Sequence, residues 1–297
     1  MKQSLTAISF GEILWDVFPD GKSLGGAPLN LCLRMKSLGA SMRMISRLGT
    51  DGLAEETRAA IDEFNLNQDL IQEDDELETG KVLVSLNEQG SASYKIKSPV
   101  AWDNIKLTQA NQEAVAHADL FIFGSLAARN STTRTTLKEL LPQTKFAIFD
   151  VNLRAPHYKL EHLVQFMKQA QMIKMNDEEL IEIAAHLEIE SKVMEDQLEI
   201  ISKLTNTNII CITCGDAGAV LYKDGSLHTH AGYSTTVVDT VGAGDSFLAG
   251  LICQLFLEKS SPDDALAFAC ALGALVAGQK GANSKITPEI IAEKMAE

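Results

Sequence analysis

Short apolar runs alternate along the chain with longer segments in which apolar residues recur every three or four positions. The short runs predict β-strands at residues 7–10, 43–46, 120–123, 146–150, 172–175, 209–213 and 219–222. The longer segments predict α-helices at residues 29–38, 53–64, 132–141, 160–169, 177–187, 191–204, 246–258 and 262–279. Such alternation is typical of an α/β protein with a mainly parallel sheet covered by helices.

Two stretches interrupt this alternation, residues 13–24 and 79–100. Each contains short strand-like runs with turn residues between them, Pro19-Asp20-Gly21 in the first and Glu88-Gln89-Gly90 in the second. We expect both to join in one small β-sheet, a lid on a single domain of residues 1–297. Its alternating apolar residues would leave a face or an edge to cover, which predicts a homodimer through the lid.

Composition and charge narrow the possible partners. The 297 residues include 26 basic and 40 acidic side chains, a formal net charge of −14, and 45% are hydrophobic. An acidic chain without a basic stripe is expected to bind neither nucleic acid nor an anionic membrane surface. No run approaches the ~18 apolar residues of a membrane span, and the first residues resemble no targeting signal, so a cytoplasmic protein is expected.

Cysteine and histidine spacing does not favour redox or metal chemistry. Five cysteines are an odd number in a long chain, which suits a reducing compartment. Cys211 and Cys214 form a C-x-x-C within a strand-like run, where odd spacing directs the thiols to opposite faces. A core role is therefore favoured for them. His228 and His230 lack a third ligand nearby, which favours a surface strand.

The segment 237–247 is the most informative for chemistry. A strand end, the turn Gly242-Ala243-Gly244 and a helix start would bring backbone N–H groups and the positive end of the helix dipole together, where an anion can bind. Asp245 at this point could take a proton from a nucleophile approaching a phosphate, or merely cap the helix, and both interpretations stay open. No Lys follows the glycines as in a Walker A loop, and Phe247 stands where a dinucleotide fingerprint needs Gly.

A second segment, residues 25–30, also suggests a ligand site. Gly25 and Gly26 allow close backbone approach, and Asn30 offers both a donor and an acceptor to a polyol. Asp16 can accept two hydroxyl hydrogen bonds. The alternative is a simple turn before a helix that begins with Pro28.

Several short motifs in order resemble the ribokinase-like family of carbohydrate kinases, also called the PfkB family. They are GEILWD, LGGAPLN, SRLGTDG, FDVNLR, KMNDEEL, ITCGDAGA and DTVGAGDSF, which span nearly the whole chain. The resemblance implies a ribokinase-like, Rossmann-type three-layer sandwich with a mainly parallel central sheet and a small β lid. It also implies an enzyme that transfers the γ-phosphoryl group of ATP to a sugar hydroxyl.

The resemblance assigns roles on the sugar side of such a site. Asp16, Gly26 and Asn30 would hold the sugar, and Asp245 would be the general base. The backbone of Gly242, Ala243 and Gly244 would form the anion hole for the transferred phosphoryl group.

It also assigns a nucleotide side, with ATP and Mg²⁺ as cofactors. Asn176 and Glu179 match an N-x-x-E element that would organise Mg²⁺ through water, although a helix cap with a solvated acidic run is the simpler alternative. The residues that match the ATP-binding turn are Thr213, Gly215 and Gly218. Asp239, with Gly281-Ala282, would match a monovalent-cation loop that takes K⁺.

The sugar is suggested by residues 150–154, which resemble the D-x-N-x-R stretch of fructokinases, with Asn152 and Arg154 as sugar ligands. Gly-Gly-Ala-Pro around Pro28 and Phe123-Gly124-Ser125 are similar to fructokinases too, whereas Val151 departs from the usual Pro. The resemblance thus favours D-fructose. The alternatives are 2-keto-3-deoxygluconate kinase, another sugar kinase of the family, or a catalytically silent sugar-sensing protein.

Overall fold

The computed structural model describes residues 5–86 and 92–297. The strands within them are β1 (Thr6–Phe10), β2 (Leu14–Phe18), β3 (Gly21–Gly25), β4 (Ser41–Leu48), β5 (Ile71–Glu73), β6 (Gly80–Leu86), β7 (Ala92–Ile96), β8 (Leu120–Gly124), β9 (Ala147–Asp150), β10 (Met172–Asn176), β11 (Ile209–Thr213), β12 (Ala219–Lys223) and β13 (Ser226–His230). The α-helices are α1 (Ala27–Ser37), α2 (Gly52–Glu63), α3 (Gln109–His117), α4 (Ser131–Leu140), α5 (Leu160–Met167), α6 (Asp177–His186), α7 (Met194–Thr205), α8 (Ala243–Ile252), α9 (Pro262–Ala277) and α10 (Pro288–Met295).

The central sheet has the strand order β13-β12-β11-β10-β9-β8-β1-β4-β5. Pairing is parallel from β11 to β5, and β12 and β13 add an antiparallel hairpin at one edge. Successive side chains of a strand point to opposite faces of the sheet. Ile8 and Phe10 therefore pack in one apolar cluster, and Ala7 packs in the cluster on the other face. Helices α4 to α7 cover the first face and α1, α2, α8 and α9 the second. The predicted α/β sandwich is confirmed.

Each strand and helix that was predicted with a residue range is present, most with shifted ends, whereas β5, α3 and α10 were not predicted. Helix α8 begins three residues before the predicted start, and a π-helical turn at Cys253–Glu258 follows it. The prediction of a strand ending just before Gly242 is wrong, since residues 231–241 contain no strand. Because this segment pairs with no sheet, the side chains of Val237 and Val238 are 61% and 62% exposed.

The small sheet has the strand order β3-β2-β6-β7. Segments distant in the sequence meet there, because β2 pairs in parallel with β6 and Leu14 lies opposite Gly80. The expected turn Glu88-Gln89-Gly90 lies outside the described residues. Val82 and Val84 are buried with Leu14, so the alternating residues that suggested a dimer are already covered within one chain.

Cysteine and histidine positions agree with the structural interpretation. Burial raises the pKa of the Cys32 and Cys253 thiols to about 12, and that of Cys211 further still. His228 lies on the edge strand β13, where Nδ1 is 3.0 Å from Oδ1 of Asp263. Within residues 5–86 and 92–297, no group of three His, Cys, Asp or Glu could hold a metal ion. No helix of this part of the chain is long and apolar enough to cross a membrane.

We expect Gly80→Ala to destabilise the contact between the small sheet and the main body. An added Cβ would lie 2.4 Å from Nε1 of Trp102 and 2.8 Å from the carbonyl oxygen of Ile13. Overpacking of this kind costs about 1–3 kcal/mol, so thermal unfolding should show a lower Tm. Gly21→Ala is the matched control, since nothing lies within 4 Å of its added Cβ. Equal Tm values for the two variants would show that the small sheet is not packed this closely on Trp102.

Candidate active site

A cleft opens where parallel strands β1, β8 and β9 end, which is where α/β sheets bind ligands. Its walls come from the residues after these strands and from the start of α1. They include Ser9, Glu12, Pro28, Gly124, Asp150 and Asn152. The topology therefore gathers polar groups from distant parts of the chain around one crevice.

The first turn of α1, which lines this cleft through Ala27 and Pro28, also carries Asn30. Gly26 precedes the helix with φ of +108°, and a Cβ there would lie 2.5 Å from the carbonyl oxygen of Glu12. Asn30 Nδ2 donates to Oδ2 of Asp245 at 2.9 Å, and its Oδ1 accepts from Asn283 at 3.2 Å. The two segments that the sequence singled out, 215 residues apart, thus meet in one hydrogen bond.

The turn before α8 is equally constrained. Gly242 has φ of +78°, and a Cβ there would lie 2.3 Å from the side chain of Ala282. The Ala243 amide donates to the carbonyl of Thr240 at 3.2 Å, so it is already engaged. The amides of Gly244 and Asp245 belong to the first helical turn, where N–H groups have no acceptor within the helix. Of the predicted Gly242-Ala243-Gly244 amides, that of Ala243 is thus engaged within the turn, and the Asp245 amide is a further donor at the helix start.

Arg34, which sequence analysis missed, ties these segments together. Its Nε donates to Oγ of Ser246 at 3.1 Å, and its Nη2 donates to the carbonyls of Ala282 and Ser284 at 3.2 and 3.0 Å. The side chain is buried. It therefore fixes α1 against α8 and against the loop that packs on Gly242.

Asp245 is an acid with altered ionisation. Burial, followed by the nearby charge of Asp150, raises its pKa to about 6. The hydrogen bond from Asn30 and the charges of Lys174 and Arg154 act in the opposite direction. The carboxyl is therefore ionised at neutral pH but can accept a proton without a large cost.

Lys174 is a buried cation at the start of α8, and sequence analysis missed it. Its Nζ lies 3.1 Å from Oδ1 of Asp150 and 3.5 Å from where a Cβ on Gly244 would stand. Burial alone would lower its pKa, but Asp150, Glu179 and Asp245 raise it, so the ammonium stays charged. The available signal was a lysine inside an otherwise apolar strand, since buried charges need partners.

Glu12 is a further buried acid that the sequence did not single out. It is 3% exposed, and its Oε2 has no hydrogen-bond partner among the described residues. Burial raises its pKa to about 7, against the charges of Arg154 and Arg129. The carboxyl lines the cleft beside Pro28, so a ligand hydroxyl could supply the missing partner.

Asp16 and Arg154 interact electrostatically, but neither is among the residues that line the cleft. Asp16 is on β2, with Oδ2 3.2 Å from where a Cβ on Gly25 would stand. Burial raises its pKa, and the charge of Arg154 opposes the shift. Arg154 is exposed, and its charge also acts on Glu12 and Asp245.

Asn152 lies between the cleft and the next strand. It has φ of +40°, and its carbonyl accepts a hydrogen bond from Oγ of Ser125 at 3.2 Å. It lines the cleft together with Asp150, as the D-x-N-x-R resemblance requires.

The expected nucleotide residues lie at the ends of β10 and β11, where Asn176 stands opposite Thr213. Gly215 and Gly218 have φ of +57° and +88°, and a Cβ on Gly218 would lie 1.9 Å from the carbonyl oxygen of His230. The turn therefore requires glycine and leaves open backbone beside Thr213.

Glu179 forms the reciprocal helix cap that was the simpler alternative. Its Oε2 accepts from the Asn176 amide at 2.8 Å, its own amide donates to Oδ1 of Asn176 at 2.7 Å, and its Oε1 accepts from the Leu153 amide at 2.7 Å. Each carboxylate oxygen keeps a second lone pair. The residue thus fits contact with a hydrated cation, and one carboxylate does not form a protein cage for a metal.

Asp239 joins two loops. Its Oδ1 accepts from the Val241 amide and its Oδ2 from the Gly281 amide, both at 3.0 Å. The residues of the expected monovalent-cation loop are therefore adjacent.

The fold and the cleft define an α/β protein with a ligand crevice at the carboxyl ends of its parallel strands. Residues 6–290 match the pfkB family of carbohydrate kinases. The chain belongs to this family, as the sequence motifs predicted. It is 27% identical to the fructokinase of Escherichia coli, with 92% of this chain and 93% of that protein covered. It is 25% identical to fructokinase-2 of Solanum habrochaites, over 93% and 91% of the two chains.

Solved structures of other kinases share the fold. The fructokinase of Vibrio cholerae, bound to fructose, ADP and calcium, superposes with a TM-score of 0.84 at 22% identity, over 99% of this chain and 100% of that one. The 2-dehydro-3-deoxygluconokinase of Thermotoga maritima superposes with a TM-score of 0.86 at 18% identity, over 99% of each chain. These likenesses confirm the ribokinase-like sandwich predicted from the sequence.

We expect Asp245→Asn to raise the thermal stability at pH 7.5. The folded-state pKa of about 6 lies above the unfolded value near 3.8, so the folded protein binds more protons between these values and loses stability as pH rises through them. The neutral amide removes this cost and can still accept the bond from Asn30. Calorimetry should show a Tm higher by a few degrees at pH 7.5 and a smaller difference at pH 4.5. A lower Tm at pH 7.5 would contradict the assigned ionisation.

Proposed function

We propose that this carbohydrate kinase is an ATP-dependent fructokinase with Asp245 as general base. The hydrogen bond between Asn30 and Asp245 carries the proposal. It joins the acid at the start of α8 to the expected sugar ligand on α1, whose first residues line the cleft. A carboxylate that only capped α8 would need no such contact with α1.

The reaction needs a proton acceptor next to the attacking hydroxyl. Asp245, ionised above pH 6, takes the hydroxyl proton as the sugar oxygen forms its bond to the γ-phosphorus. The bond from that phosphorus to the β,γ-bridging oxygen breaks, and its electron pair leaves with ADP. Asn30 holds the carboxylate in position and lowers its pKa, so the base stays available near neutral pH.

Charge on the transferred phosphoryl group needs fixed positive partners. The first-turn amides of Gly244 and Asp245 supply partial positive charge at the helix N-terminus, and the ammonium of Lys174 lies beside them. These groups are held in place before the substrate arrives, so little reorganisation accompanies transfer.

For the nucleotide, we propose a site beside Thr213, Gly215 and Gly218, next to Asn176. Mg²⁺ would come with the ATP phosphates and neutralise part of their charge, with Glu179 contacting it through water. Asp239 and the Gly281 loop are proposed to bind K⁺. Glu179 also anchors the Leu153 amide, which links the nucleotide side of the cleft to the sugar side.

For the sugar, we propose that Asp16, Gly26, Asn30 and Asn152 surround fructose and that Arg154 orients it. Curated relatives with fructokinase activity in their names support this choice. The second candidate is 2-keto-3-deoxygluconate kinase, because the exposed guanidinium of Arg154 acts on Asp16 and Asp245 and would suit a sugar acid's carboxylate.

The small sheet is proposed to act as a lid over the sugar, since Asp16 lies on β2. The homodimer through this sheet stays a prediction, but other apolar side chains than the expected ones would have to form its interface. Val82 and Val84 are covered in the single chain, whereas Phe18 and Leu83 of the same sheet are 37% and 40% exposed and could contact a partner.

Asp245→Asn should lower the turnover number about 10²–10⁴-fold with every sugar that is phosphorylated, because it removes a positioned proton acceptor. Wild-type kcat should fall below pH 6 as Asp245 becomes protonated. Coupled ADP release measures both effects. A purely capping role predicts near-normal rates, so a variant within threefold of wild type would exclude Asp245 as the base.

A panel of fructose, ribose, mannose, glucose and 2-keto-3-deoxygluconate, assayed for ADP release, should show the highest kcat/KM with fructose. Arg154→Met should reduce the rate with 2-keto-3-deoxygluconate at least tenfold more than with fructose, since only the former carries a carboxylate for the guanidinium. A preference of the wild-type protein for the sugar acid would replace fructokinase by the second candidate. Sugar binding without any ADP release would indicate the silent sensor.

A further inference from the structure

A second cavity, of about 290 Å³, lies beside the sugar cleft, between α4, α5 and the loop after β9. Its polar walls come from Ser98, Arg129, Arg134, His157, Lys159 and His162. None of the described residues that line it is acidic. In a chain of net charge −14, a concentration of cationic and histidine side chains around one cavity needs an explanation.

Arg129 provides a rigid guanidinium at this cavity. Its side chain is only 6% exposed, and it forms a paired contact with Asp103 through Nε and Nη2, both at 2.7 Å. The group also lies 3.9 Å from the ring centroid of Trp102. Nη1 has no hydrogen-bond partner among the described residues. This nitrogen has almost no accessible surface, so Arg129 helps to form the cavity wall and does not present a free donor to it.

Arg134 and Lys159 add charge that no carboxylate balances. Nη1 of Arg134 donates to the carbonyls of Ala128 and Arg129, both at 3.0 Å, which orients the guanidinium and leaves its other N–H groups for a ligand. Neither Arg134 nor Lys159 forms an ion pair within the described chain. Because Asp103 balances Arg129, about two positive charges remain at the cavity.

Burial and the positive charge around the cavity lower the pKa values of two histidines, His157 and His162. Burial and then the charge of Arg129 lower the pKa of His157, with Asp103 opposing. Burial and then the charges of Arg134, Lys138 and Lys159 lower the pKa of His162, with Glu161 opposing. Both imidazoles are therefore neutral at pH 7.5, and each would titrate higher if an anion entered the cavity.

We propose that this cavity binds a small phosphate ester at a site separate from the sugar and nucleotide sites. A phosphate monoester carries a charge close to −2 at neutral pH, which matches the two uncompensated cations. Guanidinium groups bind phosphate with directed, charge-assisted hydrogen bonds, and Arg134 keeps unused N–H groups beside the ammonium of Lys159. Tyr158, Pro156 and Phe166 supply apolar wall for the body of the ester.

The position of the cavity gives the site a structural connection to the sugar cleft. Ser125 lines both spaces, and its Oγ donates to the carbonyl of Asn152, one of the proposed sugar ligands. A bound ester would therefore lie next to the group that shapes the sugar cleft, without occupying that cleft.

The test follows the histidine resonances by NMR during titration with glucose 6-phosphate, inorganic phosphate and, as the neutral control, glucose. We expect both phosphates to shift His157 and His162 and to raise their pKa values, while His117 and His186 stay unchanged. Glucose should shift none of them. Equal shifts with glucose, or equal shifts at all four histidines, would overturn the proposal.

Variants test the cations directly. Lys159→Gln should weaken glucose 6-phosphate binding about threefold or more, and Arg134→Gln about tenfold or more, with Arg134→Lys retaining more affinity than Arg134→Gln. Lys168→Gln is the matched control, because it removes one positive charge from an exposed position beside α5 and should leave the affinity unchanged. Arg134 also bonds to two backbone carbonyls, so Arg134→Gln could fail to fold. In that case the affinity of Lys159→Gln for glucose 6-phosphate decides whether the proposal holds. Unchanged affinity in Lys159→Gln would overturn the assignment.

Competition separates the two sites. Saturating fructose should leave the Kd of glucose 6-phosphate unchanged within a factor of three, whereas mutual exclusion would place the ester in the sugar cleft and overturn the proposal. These titrations need neither ATP nor turnover. Their failure would therefore leave the proposed fructokinase activity untouched, and a failed sugar assay would leave the cavity site standing.

Discussion

Keeping a partly buried carboxylate ionised at the start of α8 is the constraint on which the rest of the site depends. Asp245 loses hydration there and lies near the charge of Asp150, so it stays ionised at neutral pH only because Asn30 and Lys174 stabilise the charge. These partners come from α1 and β10, and all three elements must therefore pack within hydrogen-bonding or ion-pairing range. Arg34, which bonds to Ser246 and the loop beyond α9, holds that packing together.

The glycines around the cleft are consequences of the same close packing. Gly26 passes so near the carbonyl of Glu12, and Gly242 so near Ala282, that no side chain fits at either position. Each glycine also has a positive φ that L-residues rarely adopt. The backbone can thus approach a ligand on both sides of Asp245, and the helix N-terminus adds its partial positive charge at the same point.

The two cavities at this end of the sheet are lined by side chains of opposite charge. The cleft at the start of α1 is lined by the acids Glu12 and Asp150, with Asp245 close to Asp150, and burial shifts both Glu12 and Asp245 towards protonation. The neighbouring cavity holds cations and neutral histidines, and Ser125 lies on the wall between them. Arg154 lies on the acidic side and offsets part of its negative potential. The proposed polyol and phosphate-ester sites therefore lie in adjacent regions of opposite charge.

The sequence by itself determined the α/β class, most elements and the motifs of the sugar kinase family, because hydrophobic periodicity and short glycine turns are local properties. The similar strand-and-turn pattern of residues 13–24 and 79–100 predicted that they share one small sheet, but which of their strands pair was decided by the fold. The sequence could not show that Ala243 donates its amide to Thr240, that Val237 and Val238 lie outside any sheet, or that Lys174 stands beside Gly244. Those facts depend on which groups meet across the fold. The ionisation of Asp245 was decided only by tertiary structure, since desolvation and charge proximity arise when α1, β10 and α8 pack together.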